Sequence, residues 1–119
     1  MQWIDQQIID QLGQDAGYEI LPQLVTIFVE DSEQALLEME KALSSQDAET
    51  LSLLAHTLKS VCATYGANQS HLEAKALEMA CRQQRWDSIR QYLAALQYSV
   101  PQSSLSLQRF IAEQSMLSH

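Results

Sequence analysis

The chain is short of the residues that break, bridge or stiffen a backbone. It has three glycines, two prolines and two cysteines in 119 residues. So few breakers, with β-branched residues sparse and Gln, Ala, Leu and Glu abundant, exclude a turn-rich β-sandwich and point to an all-α fold. Two cysteines cannot form a disulfide framework. Cys62 and Cys81 are expected to stay reduced, as small apolar fillers. No run approaches the ~18 apolar residues of a membrane span. The opening Met-Gln-Trp-Ile-Asp has no basic region followed by an apolar stretch, so no secretory signal is expected and a cytoplasmic location follows by default. Positive charge is scarce: seven Lys and Arg stand against fifteen Asp and Glu, a net charge of −8. Nucleic-acid phosphates would repel such a surface. There is no Gly-rich phosphate loop followed by Lys-Thr or Lys-Ser, so ATP binding is not expected, and no acidic grouping that forms a magnesium site.

The bases that do occur are unevenly placed. Residues 1–58 hold eleven acids and only Lys41 (−10), whereas residues 59–119 hold four acids and six bases (+2). Either this is chance in a small sample, or the second half avoids repelling an acidic partner site.

The length fits one domain over residues 1–119. Periodicity predicts a short helix over about residues 3–12, with Trp3, Ile4, Ile8 and Leu12 on one face and Gly13 ending it. A long second helix follows over about 18–44, with Pro22 tolerated in its first turn and Leu21, Leu24, Phe28, Ala35, Met39 and Leu43 as its stripe. Its first half is apolar nearly all round, so the first helix must cover it or a partner must dock there. A third helix, capped by Ser45 or Asp47, runs to Gly66 and buries Leu51, Leu54, Leu58, Cys62 and Tyr65. Asn68 or Ser70 caps a fourth over about 69–84, with Leu72, Ala76, Leu77, Ala80 and Cys81 inside. A fifth runs from about 86 to 98, Pro101 kinks or interrupts it, and a last segment spans about 103–117. Short connections favour antiparallel neighbours. The expected architecture is an up-down antiparallel four-helix bundle with an additional short N-terminal helix and a kinked or interrupted C-terminal helix.

One segment carries chemistry: His56-Thr57-Leu58-Lys59-Ser60, then Tyr65-Gly66-Ala67. At ~3.6 residues per turn, His56 shares its face with Lys59, Ser60 and Ala63, opposite the core stripe. Its downstream neighbours are too small to bury it. This string resembles the His-x-Leu-Lys-Gly … Gly-Ala signature of histidine-containing phosphotransfer (HPt) domains. Leu77-Glu78 and Arg82 resemble the weaker second part of that pattern. Ser60 stands where most of the family has glycine, a departure similar to that of small quorum-sensing relay phosphotransferases of marine bacteria.

The resemblance implies a phosphocarrier rather than an enzyme. His56 Nε2 would accept a phosphoryl group from a receiver-domain aspartate of a hybrid sensor kinase and pass it to the receiver domain of a response regulator. Magnesium would be supplied by the receiver, since no cofactor of the chain's own is expected. An imidazole of ordinary pKa, near ~6.5, is mostly neutral at cellular pH and can act as the nucleophile. Lys59 would disfavour the imidazolium and offset phosphoryl charge; the alternative is a solvated lysine. Ser60 and Ala63 leave room for the near in-line approach that phosphoryl transfer needs, and the Ser60 hydroxyl can bond the phosphoryl group or an i−4 carbonyl. Glu78 sits where the family places a side chain bonded to the nearer ring nitrogen; an ordinary surface pair with Lys75 is the alternative. The expected docking face comprises Leu53, His56, Lys59, Ser60, Ala63 and Lys75, with part of the second helix, on a monomer. Gly66 is structural. His71 and His119 are expected to be exposed and idle. Two rivals stand beside this reading: a helical adaptor that binds or sequesters a receiver without being phosphorylated, and a zinc-binding bundle that no Cys or His spacing supports.

Overall fold

The computed structural model describes residues 2–117; His119 lies outside the described residues. Five helices follow in order: α1 (Gln6–Ala16), α2 (Leu21–Ser44), α3 (Ala48–Tyr65), α4 (Asn68–Arg82) and α5 (Trp86–Leu117). Among the described residues α2 packs on α3, α3 on α4, α4 on α5 and α5 back on α2, while the diagonal pairs do not meet. That ring of neighbours is the antiparallel four-helix bundle, with α1 laid against α2 and α3.

Three chain reversals make the bundle. At the ends of α2, α3 and α4 one residue turns left-handed: Gln46 (φ 52°), Gly66 (φ 76°) and Gln84 (φ 52°). In each case the next amide reaches back five residues, Asp47 N to Ala42 O at 2.9 Å, Ala67 N to Cys62 O at 2.9 Å and Arg85 N to Ala80 O at 3.0 Å. Each is a Schellman-type closure that satisfies carbonyls at a helix end. Glycine supplies the positive φ only at 66. There a Cβ would stand 2.8 Å from the Asp5 carbonyl oxygen, because Asp5 N bonds Gly66 O at 2.7 Å. The segment before α1 is thereby pinned to the end of α3.

The core is built from Phe28, Met39, Leu51, Leu58, Leu77, Leu93, Leu96 and Leu107, all at most 3% exposed. The Tyr65 ring lies 5.0 Å from that of Phe28, and its hydroxyl donates to Leu24 O at 2.9 Å. Cys62 and Cys81 are buried free thiols, pushed up to about 12 and about 11, chiefly by burial. They stay protonated and inert near neutral pH.

Several local expectations are corrected. Gly13 does not end α1; it lies buried within it, and a Cβ there would meet the Tyr18 ring at 2.7 Å. Trp3 and Ile4 precede the helix, whose buried residues are Ile9 and Gly13, with Leu12 partly buried against the core as expected. Residues 18–20 form a turn ahead of α2. The α2 seam runs through Val25, Ser32 and Ala42 as well as Leu21, Phe28 and Met39, while Ile20 and Ile27 stay exposed. In α3, Ala55 is buried and Leu54 only partly so. Asp47 does cap that helix, accepting from Thr50 N at 3.1 Å. No side chain caps α4, and Leu72 is 58% exposed, its expected core place taken by Ser70 and Ala74. Finally, α5 is not interrupted but continues through Pro101. The ring is exposed and so is Gln97, whose carbonyl loses its partner on the solvent side of the helix.

Candidate functional site

The inward residues of α3 fix what points outward. With Ala55, Leu58 and Cys62 against the core, His56, Thr57, Ser60 and Ala63 are exposed along one open strip. The His56 side chain is 57% exposed. Ser60 Oγ donates to His56 O at 3.3 Å, the i−4 alternative of the two considered for this hydroxyl. Ala63, one turn on, adds only a methyl group. Leu53, one turn before, is 66% exposed.

The antiparallel crossing of α4 brings Glu78 beside the ring. His56 Nδ1 lies 2.9 Å from Glu78 Oε2, so Nε2 is the nitrogen left without a hydrogen-bond partner on a mostly exposed ring. Lys59 Nζ donates to Glu78 Oε1 at 2.7 Å, and Arg82 Nη2 donates to Glu78 Oε2 at 2.9 Å. The Glu78 side chain is only 6% exposed, so it is almost wholly screened from water and lives on these three partners. The hydrogen bond from Lys59 is the main reason its carboxyl lies below the ordinary carboxylate range; burial pushes the other way and is outweighed, with the His56 bond helping. Glu78 is thus an anion that accepts, and Nδ1 is the ring nitrogen that donates to it.

This geometry unites His56, Lys59 and Glu78 and places Ser60 and Ala63 beside them. Three expectations change. Lys59 is neither a freely solvated lysine nor a cation aimed at the ring, since its ammonium is taken by Glu78 and its side chain is 24% exposed. Lys75 is exposed and forms no ion pair with Glu78. His71 was expected to be idle but is half-buried, its Nδ1 2.9 Å from Lys59 O, tying α4 to α3 beneath the site. Its offset, four residues after Ala67, gave no hint of that contact. Arg82 belonged to the sequence pattern, but its grip on Glu78 did not follow from it. The i, i+4 spacing was the available signal. A shallow cavity of about 300 Å³ adjoins the site, with Ser52, Leu53 and Arg82 in its lining. Among the described residues no three His, Cys, Asp or Glu side chains converge as a metal would require.

Residues 23–106 match the model of the Hpt domain family. The chain belongs to that family. It is 33% identical over 81 residues to phosphorelay protein LuxU of Vibrio cholerae serotype O1, covering 68% of this chain and 70% of that protein. Its fold is similar to histidine-containing phosphotransfer protein B of Pseudomonas aeruginosa, with a TM-score of 0.88 at 22% identity over 93% of this chain and 96% of that one. It is also similar to the maize histidine-containing phosphotransfer protein ZmHP2, with a TM-score of 0.84 at 19% identity over 97% and 87% of the two chains. The Hpt family assigns this chain a phosphotransfer role in two-component signalling. Among the described residues no helix is long and apolar enough to cross a membrane.

Proposed function

We propose that this Hpt protein is a relay intermediate that carries a phosphoryl group on His56 Nε2 between two receiver-domain aspartates. The observation that carries the reading is the His56–Glu78 contact: one ring nitrogen is held by a carboxylate and the other is bare on an open face. The donor would be the receiver domain of a hybrid sensor kinase and the acceptor that of a response regulator. Likeness to LuxU favours a quorum-sensing pathway.

In the transfer step the Nε2 lone pair attacks phosphorus as the acyl-phosphate P–O bond breaks, the electron pair leaving on the donor's aspartate oxygen. Ser60 and Ala63 keep the approach open. Lys59 and Arg82, already beside the ring through Glu78, can offset the arriving negative charge. The chain itself holds no nucleotide loop; magnesium and the acyl phosphate would come with the receiver. The docking face is assigned to Leu53, His56, Lys59, Ser60, Ala63 and Lys75, on a monomeric, cytoplasmic protein.

The test is phosphoryl transfer from purified receiver domains charged by their own kinases. Rapid, reversible labelling, stable in base and labile in acid and absent from His56→Gln, is expected. Binding to a charged receiver without any labelling would instead favour a receiver-sequestering adaptor.

A further inference from the structure

A carboxylate on the non-reacting nitrogen has a consequence for the charged carrier that a neutral acceptor would not have. Nε2 attack leaves the ring as an N-phosphorylated imidazolium, with its positive charge shared with Nδ1–H. On return, a receiver carboxylate oxygen attacks phosphorus, the Nε2–P bond breaks and its electron pair goes back to Nε2. If Nδ1 still carries its proton, the leaving group is neutral imidazole. If that proton has been lost, the leaving group is imidazolate, a far stronger base and a poor leaving group. The state of Nδ1 therefore decides whether the stored phosphoryl group can be passed on.

We propose that the Glu78 carboxylate keeps the Nδ1 proton on phosphorylated His56, so that the phosphoryl group always departs from a neutral imidazole and transfer in either direction needs no proton movement. The inference rests on the relay reading above and extends it to the charged state. Glu78 Oε2 is 2.9 Å from Nδ1 and shielded from water, and Lys59 and Arg82 keep it ionised from its other sides. The remaining charged groups are more distant in role. Lys75 of α4 is exposed and unpaired with Glu78, His71 of α4 is taken up by Lys59 O, and the α2 carboxylates Asp31, Glu33 and Glu38 are exposed. All of them are unchanged in the variant below. So is the negative charge of the phosphoryl group itself.

The test uses the whole protein, ¹⁵N-labelled at histidine and charged chemically with phosphoramidate, so that no receiver is needed. Glu78→Gln keeps a carbonyl oxygen to accept Nδ1–H and removes only the charge. The Nδ1 titration midpoint of phosphorylated His56 is expected to fall by roughly one to three pH units in this variant, the usual effect of losing an opposite charge at contact distance. The alkaline decline in phosphoryl transfer to a receiver should move down with it. Equal midpoints in the two proteins would overturn the proposal. Should Glu78→Gln not fold, Arg82→Ala tests the same claim with opposite sign. Arg82 is 70% exposed and competes for Oε2, so its removal should raise the midpoint, and an unchanged or lowered one counts against the proposal. Failure of the relay reading is separately visible: phosphorylated His56 would then titrate as described while no receiver accepts its phosphoryl group. If phosphoramidate does not label His56 at all, both readings fall.

Discussion

Helix α4 carries two carboxylates five residues apart, and they have opposite kinds of neighbour. Glu78 faces α3 and is held by an imidazole, an ammonium and a guanidinium. Glu73 takes neutral donors, from Ser99 of α5 and from Gln69 Nε2 at 3.0 Å. The second set is a fixed proton chain. Ser99 donates its one hydroxyl proton to Glu73, so Ser70 must donate to Ser99 across their 2.8 Å contact. Ser103 in turn donates to Ser99 O at 3.0 Å. Ser70, Ser99 and Ser103 are each at most 1% exposed, so these three hydroxyls are screened from solvent. Ser70 and Glu73 of α4 both bond Ser99 of α5, which makes the layer a staple between the two helices. Around Glu78 two of the three donors are cations, and two of the three partners, His56 and Arg82, reach solvent. One layer holds the bundle; the other holds a reactive ring.

Replacements that should separate the two layers give the following expectations. Glu78→Ala should slow phosphoryl acceptance at His56 by about ten- to a hundredfold, the value of one charge-assisted hydrogen bond in rate terms. Glu73→Ala should leave acceptance within about twofold, less than one neutral hydrogen bond is worth. Single-turnover labelling of both variants reads this directly. Ser99→Ala should do the reverse, costing about 1 kcal/mol in urea unfolding by stranding Ser70 and Glu73, with transfer unchanged.

Next in size is an acid effect confined to the Glu78 side. Its carboxyl is held below the ordinary carboxylate range in the fold, so the contribution to stability is complete above that range and is lost as pH falls through the lower folded value. Unfolding free energies measured from pH 6 down to pH 2 should therefore fall less steeply in Glu78→Gln than in the parent. The smallest effect belongs to Arg82→Ala. Arg82 is 70% exposed and Glu78 keeps two other partners, so this i, i+4 pair contributes only about 0.3–0.5 kcal/mol and the variant should melt within a degree or two of the parent.

Much of the fold and of the outward face of α3 is legible in the sequence, and the reasons are specific. The outward strip of His56, Ser60 and Ala63 follows from α3 because its apolar residues are large and regularly spaced. Gly66 marks a left-handed helix end because glycine enters that region without penalty. Gln46 and Gln84 make the same turn with no such signal, since the backbone bonds from Asp47 N and Arg85 N rather than residue type hold their φ. Glu78 reached the candidate site through family resemblance; spacing alone could equally have paired it with Lys75. The Ser70–Ser99–Ser103 layer was illegible because a hydrophobic pattern assigns serine to the surface, so Leu72 was moved inward in error. The contact from His71 to the Lys59 carbonyl depends on the rotation of α4 against α3, which no local pattern encodes.

The account turns on which atom carries the phosphoryl group. The most direct measurement is ¹⁵N and ³¹P NMR of the full-length protein after charging by a phosphorylated receiver. A single phosphorylated ring is predicted, His56 substituted at Nε2, with Nδ1 still protonated toward Glu78. A phosphoryl group on Nδ1, on His71 or on a carboxylate would contradict the account, because the geometry at Glu78 would then be serving some other purpose.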